Sequence, residues 1–234
     1  MSSSQIFELF QLVYKSRKYL LEMLNDRGFD ISSIKNYTED EIKDMLTNHN
    51  LGKFETLPDK GPLDILLEKN TGTQHAEKAE KIYVKFRLDN KFKATASLTT
   101  QINDIYSTIL TTKDTLIIMN VDAILIKVDV KEKVDEEYAN QLYITKNYFV
   151  QLYGLSNFLF NVSNHITVPK HRIMSKIETQ QLLTTYNCNI SNLPTIKRDD
   201  PQSKYIGLKP KQVCEILSPN VSSGITKKYK VCEM

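Results

Sequence analysis

The sequence predicts an α/β chain in two parts: a mixed sheet with covering helices over residues 1–156, and a small α+β module over 157–234. Three stretches carry that prediction. Residues 2–27 repeat apolar side chains at three- and four-residue spacing, residues 82–88 alternate at two-residue spacing, and the tail from His165 onward is broken by Pro169, Pro194 and Pro201 into short elements joined by polar turns. At 234 residues, 41% hydrophobic and 25% charged, the chain is long enough for one large domain or two small ones.

Taken in order, the opening helix places Ile6, Leu9, Phe10, Val13, Tyr14, Arg17, Leu20, Leu21 and Leu24 on one face. Gly28, within Asp26-Arg27-Gly28-Phe29, closes it, because a residue without a β-carbon readily enters the left-handed conformation that ends helices. After a connector over 31–37, Thr38 and Glu41 have the spacing of a capping box, in which each side chain accepts the other residue's amide hydrogen. The acidic first turn offsets the helix dipole, and Ile42, Met45 and Leu46 face inward. Residues 63–67 are a short apolar piece after the turn at 58–62, and 72–81 is a polar loop. In the strand at 82–88, Ile82, Val84, Phe86 and Leu88 fall on one face and Tyr83, Lys85 and Arg87 on the other.

Two more strands are expected at 116–119 and 123–130, with a helix over 103–110 turning Ile102, Ile105, Tyr106 and Ile109 inward. The charge run 131–137 leads into a helix that reaches Leu142. The aromatic stretch 143–160 is expected to pack as a helix or irregular support against the sheet. Phe158, Leu159, Phe160 and Val162 would form a last strand or a docked connector beside the boundary near Asn157.

Composition narrows the function classes. Even the apolar run 115–130 is interrupted by Asp122 and Lys127, so no segment reads as a membrane span. The start, Met-Ser-Ser-Ser-Gln-Ile-Phe, has neither the basic stretch nor the apolar core of a secretory signal, and the protein is expected to stay in the compartment where it is made. Cys188, Cys214 and Cys232 are too few and too unevenly spaced for a disulfide framework or a four-ligand zinc site, and a reducing compartment follows. The sequons at Asn36, Asn161 and Asn220 would matter only in a secreted chain. The net charge of +3 divides unevenly: from Asn157 onward 11 Lys or Arg face 5 Asp or Glu, while the first 156 residues carry 20 against 23. A second half at +6 suits nucleic acid or an acidic protein partner.

Candidate chemistry is sparse. A metal nuclease needs carboxylates converging on a cation, often beside a lysine, and Asp89, Asp122, Lys127 and Asp129 could supply such groups in principle, since strand alternation can place some of them on a common side. No tight Asp-x-Glu or Glu-x-Lys pair sits at a strand end, so solvated surface is the better reading of all four. His165 and His171 lack a specified third metal ligand. Ser175 has no nucleophile-elbow setting and instead forms a capping box with Glu178, opening a helix whose inner side holds Ile177, Gln181, Leu182 and Tyr186 with Met174 nearby. In Lys197-Arg198-Asp199-Asp200-Pro201, adjacent aspartates diverge in a turn, and Asp200 before Pro201 caps or starts one more readily than it binds magnesium. Strands are expected where Val213, Glu215 and Leu217 alternate with Cys214 and Ile216, and again around Lys228, Lys230 and Val231.

The tail carries an ordered set of short motifs: His165 with Val168, Pro169 and His171; Leu182, Leu183 and Tyr186; Leu193, Pro194 and Ile196; Asp200, Pro201, Tyr205, Gly207, Leu208 and Lys209; then Val213 and Ile216. In order and spacing these resemble the C-terminal assembly domain of the fifth-largest subunit shared by nuclear RNA polymerases, a family with archaeal members. Tyr14, Met23 and Asp26-Arg27-Gly28-Phe29 are similar to the start of that family's N-terminal jaw, a nuclease-like α/β fold without a catalytic role. The chain departs from the family after Lys209: Lys211 stands where a glycine is usual, Val221 where an acid is usual, and Ile225-Thr-Lys-Lys-Tyr229 replaces a Gly-Arg-Tyr-like turn.

The resemblance implies a non-catalytic subunit of a multisubunit DNA-directed RNA polymerase, with no cofactor of its own and no membrane. It implies partners in the largest subunit, gripped by Asp200, Pro201, Tyr205, Gly207 and Leu208, and in other polymerase subunits. The jaw would lie toward downstream double-stranded DNA, where Lys91, Lys93 and Lys113 are the candidate phosphate contacts. The alternative is a free nucleic-acid-binding protein that uses a polymerase-like module. A composition rich in Asn, Lys, Ile and Tyr fits an AT-rich protist or a large DNA virus, which would place the protein in the nucleus or in the host cytoplasm and virion respectively.

Overall fold

The computed structural model describes residues 3–48, 61–69, 79–88, 96–120, 136–220, 222 and 224–233. The chain divides into two compact units, 1–160 and 161–234. In the first unit, α1 (Ser3–Asp26) and α2 (Glu39–Asn48) precede a four-stranded sheet of β1 (Ile65–Glu68), β2 (Lys81–Arg87), β3 (Thr115–Asn120) and β4 (Phe149–Gly154), in that order. β1 pairs antiparallel with β2, and the remaining ladders are parallel. The two parallel steps each contain a helix, α3 (Ala96–Thr108) and α4 (Glu136–Lys146), because parallel strands need a long crossover.

Helices cover both faces of this sheet. Tyr83, Leu116, Ile118, Val150 and Leu152 pack with Ile102, Ile105, Tyr106, Ala139 and Leu142 of α3 and α4. Tyr153, from the alternate positions of β4, reaches Met23 Sδ of α1 at 4.0 Å. Two covered faces explain why β2 is buried through five consecutive residues although its sequence alternates.

Polar groups buried in this unit fasten elements together. Arg17, on the apolar side of α1, donates to the carbonyls of Leu63 (3.0 Å) and Lys35 (3.2 Å) and lies 5.0 Å from the Tyr37 ring centre. Gly28 takes φ 85°, and the adjoining Arg27 donates to Gln151 Oε1 at 3.0 Å, tying the end of α1 to β4. Asp64 accepts from Tyr83 Oη (2.9 Å) and from the amides of Phe86 and Gly61 (both 3.0 Å), with Lys85 Nζ 3.6 Å away. Burial, and then the charge of Asp64, push the Tyr83 hydroxyl pKa up.

Three sequence expectations need correction. The aromatic stretch contains strand β4, whose first five residues are buried, so the alternation that signals a half-covered strand is missing. Phe158 ends a short 3-10 turn (Leu155–Phe158) with its ring centre 4.9 Å from that of Tyr153, and Val162–Asn164 is a second such turn, so neither belongs to a strand. The helix expected over 103–110 starts earlier, at Ala96, and ends at Thr108. Asp89, Asp122, Lys127 and Asp129, the strand at 123–130, Lys91, Lys93 and Val221 lie outside the described residues.

In the second unit a sheet in the order β5-β7-β8-β6 is built from β5 (Lys170–Ile173), β6 (Thr195–Lys197), β7 (Val213–Asn220) and β8 (Gly224–Glu233). β7 and β8 form an antiparallel hairpin, β5 pairs antiparallel with β7, and β6 pairs parallel with β8. α5 (Lys176–Thr185) lies between β5 and β6 in the chain, and α6 (Pro201–Ile206) between β6 and β7. Ile196, Leu208, Cys214, Ile216 and Cys232 form the core, with Ile173 and Ile206 against it.

Candidate assembly surface

α6 is a helix of one and a half turns that stands only because both ends are specified. Asp200 caps its start, accepting from the amides of Gln202 (2.9 Å) and Ser203 (3.3 Å), and Pro201 occupies the first turn, where no amide hydrogen is needed. Gly207 ends it at φ 73° and ψ 35°, and the Leu208 amide then donates back to the Ser203 carbonyl at 2.9 Å. Leu208 is left 1% exposed in the core, which anchors the whole segment. Tyr205 is partly buried and its hydroxyl accepts from Asn161 Nδ2 at 2.9 Å. The side chain of Ser203 is buried, and its Oγ has no hydrogen-bond partner among the described residues.

These placements separate the five residues named from sequence. Pro201 is exposed, Asp200, Tyr205 and Gly207 are partly buried, and Leu208 is buried; Asp200 and Gly207 fix the two ends of α6, and Leu208 anchors it in the core. Lys113 is exposed in the turn before β3. His165 is exposed, with Nδ1 2.8 Å from Thr167 Oγ1, and His171 Nδ1 donates to the Pro169 carbonyl at 2.8 Å. No group of three or more His, Cys, Asp or Glu among the described residues could hold a metal ion.

The sheet surface on the side of Glu215 carries an ionic network that sequence reading missed. Glu215 is only 6% exposed, and its carboxylate meets Arg172 Nη2 at 2.8 Å, Lys227 Nζ at 3.2 Å and Tyr229 Oη at 3.5 Å. Arg172, Glu215 and Tyr229 are direct cross-strand neighbours on β5, β7 and β8. Arg172 also reaches Glu178 at 2.7 Å, and Glu178 completes the expected capping box, accepting from the Ser175 amide at 2.7 Å while its own amide donates to Ser175 Oγ at 3.2 Å. The Ser175 amide and then Arg172 hold the Glu178 carboxyl down at about 2. Hydrogen bonds from Arg172 likewise lower Glu215. Burial raises the Cys232 thiol to about 12, so this cysteine stays protonated and packs as an apolar group.

The face expected for α5 is not the one that is buried. Leu182 is buried, but Ile177 is 72% and Tyr186 64% exposed. Tyr186 instead lies beside Tyr229, ring centres 6.4 Å apart.

The residues that build this module coincide with a known family: RNA polymerase Rpb5, C-terminal domain, matches 160–232. The DNA-directed RNA polymerase subunit Rpo5 of Thermococcus kodakarensis is 40% identical over 72 residues, a match covering 31% of this chain and 88% of that relative. The chain belongs to the Rpb5 family. The Rpo5 subunit of Pyrococcus abyssi is 39% identical over 72 residues, with 31% of this chain and 88% of the relative covered. DNA-directed RNA polymerases I, II, and III subunit rpabc1 of Dictyostelium discoideum is 33% identical over 87 residues, 37% of this chain and 44% of the relative. The chain thus spans less than half the length of the Dictyostelium relative it matches, and the Rpb5-family signal is concentrated in the second unit.

Proposed function

We propose that this Rpb5-family chain is a non-catalytic subunit of a multisubunit DNA-directed RNA polymerase, attached to the largest subunit through the 161–234 unit. The observation that supports this most is the coincidence of the family match, 160–232, with a compact small unit whose shorter helix, α6, is fixed at both ends. In this reading Pro201 and Tyr205 meet the largest subunit, while Asp200, Gly207 and Leu208 hold the shape they present. Polymerisation takes place on other subunits, and this chain supplies no group to it. The 1–160 unit serves as a jaw near downstream double-stranded DNA, with Lys91, Lys93 and Lys113 against phosphates. Such contacts position a duplex without reading its bases. A cellular source puts the protein in the nucleus; a viral one puts it in the host cytoplasm and the virion.

The test is recovery of the tagged full chain from its native source. Stoichiometric recovery of the two largest polymerase subunits is expected. Recovery of nucleic acid without those subunits would replace this reading with a free nucleic-acid-binding protein.

A further inference from the structure

The second unit contains an open groove of about 1120 Å³ between α5, the loop that follows it and the 210–213 turn. It is open to solvent rather than an enclosed cavity, which suits a chain segment laid on the surface better than a buried small molecule. Lys176 and Lys211 stand in its lining, and no aspartate or glutamate is among the described residues that line it. Neither lysine forms an ion pair among the described residues, and the one acid of α5, Glu178, is held by Ser175 and Arg172 outside the lining. Around the lysines lie amide and hydroxyl side chains such as Gln180, Asn187 and Gln212, which both donate and accept hydrogen bonds as a peptide backbone requires.

A second feature marks the same place. Three non-glycine residues of the described chain have positive φ, and two of them, Asn187 (46°) and Lys211 (68°), line this groove. Asparagine tolerates that conformation; lysine does so only at a cost of ~1 kcal/mol or more. A strained lysine kept at the lip of a groove without acids is a reason to look for a ligand there.

From these observations we infer that the groove binds an acidic, extended polypeptide segment. Resting on the polymerase reading, that segment belongs to another subunit of the enzyme. A single-stranded nucleic acid fits less well, because no aromatic ring is among the described residues that line the groove to stack a base. Matched charge sets which segment is accepted, and backbone hydrogen bonds from the amide side chains hold it extended.

The inference is tested on the full chain with a fluorescein-labelled peptide of about eight residues alternating glutamate and serine, beside a lysine–serine peptide and an oligothymidylate of equal length. The acidic peptide binds the native chain. Lys176→Glu with Lys211→Glu weakens it at least about tenfold, while Lys170→Glu with Lys228→Glu, the same charge change outside the groove, weakens it less than about threefold. All four lysines are exposed, and thermal unfolding reads that both double variants keep the fold. Equal weakening by the two pairs, no binding of the acidic peptide, or tighter groove-dependent binding of the oligonucleotide overturns the inference. A second readout uses Cys188, which lines the groove, whereas Cys214 and Cys232 are buried. A maleimide–benzophenone on Cys188 in the purified polymerase cross-links to an acidic stretch of another subunit; cross-links to nucleic acid alone, or none, contradict it. If the tagged, unlabelled chain recovers no polymerase subunits, the assembly reading falls and the peptide titration decides the inference alone.

Discussion

Replacing Lys211 by glycine should stabilise the second unit. The residue sits at φ 68°, its side chain is exposed, and its amide donates to the Cys232 carbonyl at 2.9 Å, a bond glycine keeps. Left-handed geometry costs an L-residue ~1–2 kcal/mol. Glycine removes that strain but gives back ~0.4–1 kcal/mol through the greater freedom of the unfolded chain. Taking the middle of each range, the net gain is ~0.8 kcal/mol, or an increase in Tm of about 3–6 °C for a unit of this size. Calorimetry of the full chain reads it. Lys211→Ala is the control, because alanine keeps the β-carbon and therefore the strain. A gain for Lys211→Ala as large as that for Lys211→Gly would mean that removing charge, not relieving φ, is responsible, and destabilisation by glycine would refute the reasoning outright. The same variant should bind the acidic peptide less well, since the strained conformation holds a cation at the groove lip.

Other outcomes follow from the same geometry. Gly207→Ala, at φ 73°, should lower the stability of the second unit by ~1 kcal/mol in urea unfolding, and no loss would argue against the left-handed end of α6. Asp200→Ala removes the acceptor for two α6 amides and should cost ~1 kcal/mol by the same measurement. Glu178 has a folded pKa of about 2 against an ordinary 4.5, so its stabilising contribution is complete above pH 4.5 and disappears as pH falls toward 2. Unfolding titrations across that window should show a decline that Glu178→Gln flattens, and an unchanged slope would mean that the carboxylate is not held as described. Lys85→Met leaves Asp64 buried without its cation and should destabilise the first unit by ~3 kcal/mol; a neutral result would show that the amide and tyrosine donors suffice.

Local chemistry was the most legible part of the sequence. Both capping boxes form as spelled: the Thr38 amide donates to Glu41 at 2.8 Å, and the Ser175 amide to Glu178 at 2.7 Å. Gly28 and Asp200 end and start helices as their neighbours foretell. The misses share one cause, which is that burial and register are tertiary facts. β4 was hidden because a strand covered on both faces has no alternation, and the three-residue β6 is too short to show any pattern. The buried Asp64 and Lys85 could not be paired by eye, since β1 and β2 are joined through a long connection. Likewise, Arg172 and Glu215 are 43 residues apart and meet only through the β5–β7 register. At the candidate surface, the motif named a run of residues but not how the fold divides them between core and surface. Leu208 is in the core, and only the folded chain reveals that it supports the surface from beneath.

Attachment through the second unit is the claim on which the functional account depends. The most direct measurement is quantitative recovery of the two largest polymerase subunits on tagged full-length chain and on a tagged chain lacking 161–234. Equimolar recovery on the first and none on the second is the predicted result. Undiminished recovery on the shortened chain would contradict it.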